Sequence, residues 1–131
     1  MTTNIAMLVL SLALLLLFQL IQAAQLNSVA GVSYNLSARD KPVDVGLMGG
    51  RIQRAKVNLI ENLLLFAPLS ILAEVTHANP QTVGWGAIIF FVARVVHAIT
   101  YLAGVAVIRT LAWFAGVIGC VILALAVLGW A

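Results

Sequence analysis

The chain has 131 residues, of which 63% are hydrophobic and only 8% are charged. Ordinary soluble domains are about 45–50% apolar and about 25% charged, so the composition excludes a soluble globular domain and predicts a membrane protein. The net charge of +3 rests on seven basic and four acidic residues, so it predicts membrane orientation rather than nucleic-acid binding. The single cysteine, Cys120, excludes an internal disulfide, and we predict one small domain over residues 1–131.

An apolar run from about residue 5 to about residue 26 opens the chain. It is long enough to cross about 30 Å of hydrocarbon as a helix. A cleaved signal peptide is the alternative, favoured by the small residues Ala23 and Ala24. The first four residues carry no basic side chain, however, and the run is long for a signal peptide. We therefore interpret it as the first transmembrane helix.

Residues 27–50 are rich in Ser, Asn, Gly, Asp and Pro, which indicates a long loop. Gly46, Gly49 and Gly50 close this loop and give the backbone freedom to turn into the second helix. That helix is predicted over about 51–77, with a kink at Pro68, which removes one backbone hydrogen bond.

A tight turn ending at Pro80 leads into the third helix, predicted over about 80–103. A short turn follows, and the fourth helix is predicted over about 110–130 without a charged side chain. Gly116 and Gly119 lie on this helix and would let another helix approach closely. The fold class is thus predicted to be all-α, a four-helix transmembrane bundle with up-and-down topology.

The basic residues predict the orientation of the bundle. They cluster in the first loop, at the start of the second helix and at the third loop, whereas the second loop has only an acidic residue and a histidine nearby. Because basic loops stay in the cytoplasm, the first and third loops should be cytoplasmic and both termini should lie on the outer side. The basic residues that decide this are Arg39, Lys41, Arg51, Arg54, Lys56 and Arg109.

Four polar residues of the second helix share one face, at spacings of three and four residues. They are Arg51, Arg54, Asn58 and Glu61. Charged groups inside a membrane are expensive and normally face the bundle interior. We therefore predict that this face packs against another polar helix surface.

The third helix supplies that surface. The second and third helices are antiparallel and each rises by about 1.5 Å per residue, so two residues whose numbers add up to the same total lie at the same depth. Three polar residues of each helix form such pairs. The sequence thus predicts a polar seam open to the cytoplasmic side. Its pairs are Glu61 with Arg94, Asn58 with His97, and Arg54 with Tyr101.

Each seam residue also has a purely structural interpretation. Glu61 and Arg94 would form a buried ion pair, since either charge alone is costly. Asn58 could simply bridge helices, and His97 could be an ordinary core histidine, because no second metal-ligating side chain stands at a suitable spacing. Arg51 and Arg54 could serve only topology and Tyr101 only anchoring at the interface. Yet Arg54 and Arg109 would meet at the mouth of a polar cleft, which favours an anionic ligand.

The combined pattern resembles the MAPEG family, the membrane-associated proteins in eicosanoid and glutathione metabolism, and closest are the short bacterial members. The resemblance covers nearly the whole chain. It rests on Arg54-Ala-x-x-Asn58-x-x-Glu61, then Phe66-x-Pro68, then Arg94-x-x-His97-x-x-x-Tyr101, and Arg109 at the start of the fourth helix.

The resemblance implies a homotrimer in the bacterial inner membrane that binds glutathione between subunits at the cytoplasmic side. It implies that Arg94 supports the pocket and that Arg109 stabilises the thiolate, with Tyr101 beside it as a second catalytic candidate. The residues that the resemblance and the seam together assign to glutathione binding are Arg51, Arg54, Asn58, Glu61, Arg94, His97 and Tyr101.

Two hypotheses of different class follow. The first is a glutathione transferase-like or peroxidase-like membrane enzyme that acts on lipophilic electrophiles arriving from the bilayer. The second is a non-catalytic trimeric scaffold, a lipid- or partner-binding protein that keeps the seam for assembly alone. Glutathione binding by the purified protein, followed by turnover, would separate them.

The orientation can be tested by limited proteolysis of membrane vesicles. We expect trypsin to cut within the Arg39 to Lys41 segment, after Arg39, in inside-out vesicles and to spare this bond in right-side-out vesicles, because the first loop should be cytoplasmic. Cleavage from the outer face alone would contradict the predicted topology.

Overall fold

The computed structural model describes residues 1–130 and contains helices but no strand in that part of the chain. Residue 131, the last of the predicted domain, lies outside the described residues. Four helices are long and apolar enough to cross a membrane, which confirms the predicted multi-pass all-α protein. The helices are α1 (Thr3–Ala30), α2 (Val32–Asn35), α3 (Gly46–Val75), α4 (Pro80–Ala103) and α5 (Ala106–Val127).

Several helix boundaries differ from the predicted ones. Helix α1 continues to Ala30 and ends at Gly31, whose φ of 83° breaks the helix. Helix α3 begins at Gly46 rather than 51, where the Asp44 carboxylate accepts a hydrogen bond from the Gly46 amide at 2.8 Å. Helix α5 begins at Ala106 rather than 110, so Arg109 lies within its first turn. The positive φ of Gly31 and the Asp44 carboxylate thus mark the end of α1 and the start of α3, whereas α5 begins without a side-chain cap.

The core of the bundle lies where α3, α4 and α5 meet. The Phe66 ring on α3 stacks on the Phe90 ring on α4, with centroids 3.9 Å apart, and both side chains are fully buried. Leu123 on α5 is fully buried in the same cluster. Because the stack joins the middle of α3 to the middle of α4, it sets the depth of one helix relative to the other.

Helices α4 and α5 pack most extensively against each other, and glycine makes that packing possible. A Cβ atom at Gly119 would lie 2.7 Å from the Gly86 carbonyl oxygen and 2.9 Å from the Phe90 amide nitrogen. The two backbones therefore approach too closely for any side chain, as the sequence predicted for Gly119.

A polar network joins α1 to α3 at the end of the bundle that holds the N-terminus. The Asn4 side-chain nitrogen donates to the Ser70 carbonyl and to the Glu74 carboxylate, both at 2.9 Å, and Ser70 Oγ donates back to Asn4 Oδ1 at 2.8 Å. Thr2 Oγ1 also donates to the Glu74 carboxylate, at 2.6 Å. Asn4 and Ser70 are buried, so α1 is held as an integral member of the bundle. This network was not predicted from the sequence.

The opposite end is held by hydrogen bonds to backbone carbonyls. Gln25 Nε2 donates to the Val45 carbonyl at 2.8 Å, which ties the end of α1 to the loop before α3. The Arg51 guanidinium donates to the Leu102 carbonyl at 3.0 Å, which ties α3 to the last turn of α4. This end carries the basic residues, and the polar side chains of the candidate site begin here.

We expect Gly119→Ala to lower the thermal stability of the protein in detergent by about 1–3 kcal/mol, because the added methyl group must separate α4 from α5. Gly84→Ala is a matched control, since its Cβ would lie no closer than 3.7 Å to any neighbouring atom. Equal melting temperatures for the two variants would contradict the close approach.

Candidate functional site

An open groove of about 340 Å³ lies between α3 and α4 near the basic end of the bundle. Four of the residues predicted to bind a ligand line it, three from α3 and one from α4. The lining residues are Gln53, Arg54, Val57, Asn58, Glu61 and Tyr101.

The α3 side of the groove follows from helical spacing. Arg54, Asn58 and Glu61 recur at three and four residues, so one exposed face presents a guanidinium, an amide and a carboxylate. The Arg54 guanidinium lies over Gly50, where a Cβ would be 3.1 Å from one of its nitrogens. Within residues 1–130 the Glu61 carboxylate accepts no hydrogen bond and forms no ion pair, and its residue is exposed. Groups of both charge signs are therefore available to a ligand.

Asn58 is held from behind by Arg94, which is buried at 1% exposure. One terminal nitrogen of Arg94 donates to Asn58 Oδ1 at 3.2 Å, and the other donates to the Ala112 and Trp113 carbonyls on α5, each at 3.2 Å. Its Cζ lies 5.6 Å from the centre of the Phe90 ring. Arg94 thus connects three helices behind the groove.

The predicted ion pair between Glu61 and Arg94 is wrong. Arg94 points towards α5 and bonds Asn58, whereas Glu61 lies on the exposed face of α3. The predicted register also placed Asn58 opposite His97, three residues further along α4 than its actual partner. The depth of each residue predicted the partners to within about one helical turn, but depth alone does not determine which way the long Arg94 side chain points.

Tyr101 is the α4 residue of the groove, and two predicted site residues flank it. The buried His97 ring lies with its centroid 5.5 Å from that of Tyr101. The Arg109 guanidinium, from the first turn of α5, lies 4.8 Å from the centre of the Tyr101 ring, close enough for a cation–π contact. Neither flanking residue lines the groove itself, and each lies beside the Tyr101 ring, which does.

Arg51, also predicted to bind the ligand, is engaged elsewhere. Besides its bond to the Leu102 carbonyl, its guanidinium covers Gly104, where a Cβ would lie 2.9 Å from the Arg51 Cζ. Gly104 has a φ of 80° and ends α4. Arg51 therefore satisfies a carbonyl at the C-terminus of α4, a favourable place for a cation.

Two polar residues near the groove were not predicted. Gln53 lines the groove, and Asn62, which is buried, donates to the Asn58 backbone carbonyl at 2.7 Å. Both lie on α3 within a turn of predicted site residues, so the helical spacing could have found them. They were missed because neither has a polar residue at a matching depth on the third predicted helix.

A separate polar pocket of about 250 Å³ lies between α1, the first loop and α3. Arg39 and Lys56 line it, Lys56 donates to the Gln22 side chain, and Arg39 donates to Asn35. The Lys56 contact joins α3 to α1, and the Arg39 contact lies within the segment that connects these two helices.

Comparison with known proteins agrees with this architecture. The model of the MAPEG family matches residues 5–129, nearly the whole chain. The chain belongs to the MAPEG family. No curated protein matches it. MAPEG membership and the four membrane-length helices together make it a multi-pass membrane protein of the family associated with glutathione and eicosanoid metabolism.

We expect Arg94 to be energetically coupled to Asn58 and not to Glu61. Asn58→Ala should destabilise the protein by about 1–3 kcal/mol, because it leaves a buried donor without its partner, and Glu61→Gln should change stability by less than about 0.5 kcal/mol. Thermal unfolding in detergent of each variant, alone and combined with Arg94→Met, measures the coupling. A larger coupling for Glu61 than for Asn58 would contradict the observed contacts.

Proposed function

We propose that this MAPEG protein is a glutathione transferase-like membrane enzyme that joins glutathione to lipophilic electrophiles. The observation that carries the proposal is the convergence of Arg54, Asn58, Glu61 and Tyr101 on one groove. These are the residues that the family resemblance assigns to glutathione binding, and they come from two different helices.

The chemistry of the groove fits glutathione. This tripeptide carries two carboxylates, one ammonium, two amides and a thiol. Arg54 offers a guanidinium for a carboxylate, and Glu61 offers a carboxylate for the ammonium. Asn58 and Tyr101 offer neutral hydrogen-bonding groups between them. A groove of a single charge sign would suit such a zwitterionic ligand poorly.

Arg109 is the residue we assign to thiolate stabilisation. It lies in the first turn of α5, where the helix dipole also favours negative charge, and its guanidinium is half-buried over Tyr101. Glutathione held here would supply its thiolate sulfur to form a bond with an electrophilic carbon, while the leaving group departs with its bonding electron pair. Arg109 and the Tyr101 hydroxyl provide the positive charge and the hydrogen-bond donor beside the sulfur.

An apolar groove supports the lipophilic character of the second substrate. It has a volume of about 460 Å³, lies between α4 and α5, and is lined by aliphatic side chains that include Ile108 and Leu111. These residues adjoin Arg109 in sequence on α5. A membrane-dissolved substrate could therefore reach the neighbourhood of Arg109 without crossing water.

The proposal includes a homotrimer in the bacterial inner membrane, with glutathione bound between subunits, as the family resemblance implies. Many aliphatic side chains remain exposed on the single chain, among them Leu16 and Leu64. Such a surface fits contact with lipid or with further copies of the chain. Mass measurement of the detergent-solubilised protein tests the subunit number.

Glutathione binding by the purified protein is the decisive experiment, followed by turnover with a chloronitroarene. We expect Arg54→Ala to weaken glutathione affinity by about tenfold or more, since it removes a charge-assisted hydrogen bond. Arg109→Ala should instead lower the ultraviolet thiolate absorbance and the turnover rate, with affinity largely kept.

Lys41→Ala is the control for both variants, because it removes a basic side chain that does not line the groove. Wild-type turnover by Arg109→Ala would remove its catalytic role. A wild-type protein that binds no glutathione would remove the enzyme hypothesis and favour the non-catalytic scaffold.

A further inference from the structure

The orientation of the Asn58 amide can be deduced from its neighbours. Arg94 has only hydrogen-bond donors, so the Asn58 atom that faces its guanidinium at 3.2 Å must be the carbonyl oxygen. The Asn62 side-chain nitrogen, also a donor, lies 3.4 Å from the same oxygen. Two donors therefore select the same side of the amide.

The amide nitrogen of Asn58 is then left on the other side. Within residues 1–130 it donates to no protein acceptor, and it is not among the buried polar atoms that lack a partner. Asn58 lines the groove, so its NH₂ group is available there to a ligand. A ligand group beside it must be an acceptor, such as a carboxylate, a carbonyl or a thiolate.

We infer that Arg94 is a positioning residue that fixes the Asn58 amide so that the groove receives its donor face. The inference rests on the proposed function of the groove and specifies one of its binding groups. Without Arg94 the amide could rotate by half a turn and present its oxygen, which would repel an anionic ligand.

Arg94 is itself positioned by α5. The Ala112 and Trp113 carbonyls both accept from its second terminal nitrogen, and Gly116 provides the space for the guanidinium. A Cβ at Gly116 would lie 2.9 Å from the Arg94 Cζ and 2.9 Å from its Nε. The Arg94 Nε is buried without a partner, so the hydrogen bonds of the guanidinium go to three acceptors, one on α3 and two on α5. Gly116 therefore acts on the groove through Arg94, which bonds the Asn58 side chain that lines it.

A lysine could not replace this arrangement. The guanidinium is planar and carries donors in a fixed fork, so it reaches Asn58 on α3 and two carbonyls on α5 at once. A lysine ammonium is a single point charge on a flexible stem. Arg94→Lys would keep the positive charge but would lose the simultaneous contacts that hold the amide.

The test uses the full-length protein in detergent, labelled with ¹⁵N asparagine. The side-chain NH₂ resonances of Asn58 are identified by their loss in Asn58→Asp, which keeps an acceptor for Arg94 but has no donor. We expect Gly116→Ala and Arg94→Lys to shift or broaden these resonances without any ligand present. Gly84→Ala, whose Cβ would meet Thr3 only at an ordinary van der Waals distance of 3.7 Å, should leave them unchanged.

The second arm measures glutathione affinity by calorimetry. We expect Gly116→Ala and Asn58→Asp each to weaken binding by about tenfold or more. Gly116→Ala should have no further effect in an Asn58→Ala background, because its influence passes through that amide. Independent losses that multiply in the double variant would indicate a general structural disturbance and overturn the inference.

The two arms separate the two ideas. If the wild type binds no glutathione, the proposed function fails, and the ligand-free resonances still decide whether Arg94 positions Asn58. If the wild type binds and Gly116→Ala changes neither the resonances nor the affinity, the positioning role is wrong. A Gly116→Ala protein that does not fold leaves the decision to Arg94→Lys, for which the same two readouts apply.

Discussion

The burial of one guanidinium governs the arrangement of this bundle. Arg94 lies in the middle of an apolar four-helix protein with 1% exposure and without a carboxylate partner in the described chain. Burying a charge is costly unless hydrogen bonds compensate it. Its acceptors come from α3 and α5, so the need to satisfy one side chain on α4 fixes the positions of both neighbouring helices.

Close backbone packing makes this arrangement possible. Gly119 lets α5 approach α4 to within the distance of backbone atoms, and Gly116, nearly one turn away, provides the space for the guanidinium. The stack of Phe66 on Phe90 joins α3 to α4. These rigid contacts fix α3, α4 and α5 relative to one another, whereas the exposed Arg54 and Glu61 side chains of the groove take no part in them.

The candidate site combines this rigid support with an exposed polar face. In the described residues Glu61 makes no ion pair with Arg54 or with Arg94. The charges of Arg54 and Glu61 are therefore available to a zwitterionic molecule. Arg109 and His97 flank Tyr101 from two helices. Such a division, with support on one side and free groups on the other, is what a preorganised binding site requires.

Composition and helical periodicity alone determined that the chain crosses a membrane four times and that one face of the helix holding Arg54 and Glu61 is polar, since these properties depend on local hydrophobicity and spacing. The MAPEG pattern indicated the family from the same residues. Only the tertiary structure decided that Arg94 bonds Asn58 instead of Glu61 and that Arg51 bonds the Leu102 carbonyl instead of lining the groove. The physical reason is that depth along a helix follows from residue number. The direction of a long side chain, in contrast, depends on which acceptors and which empty spaces the neighbouring helices offer, and Gly116 provides such a space on a helix far away in sequence.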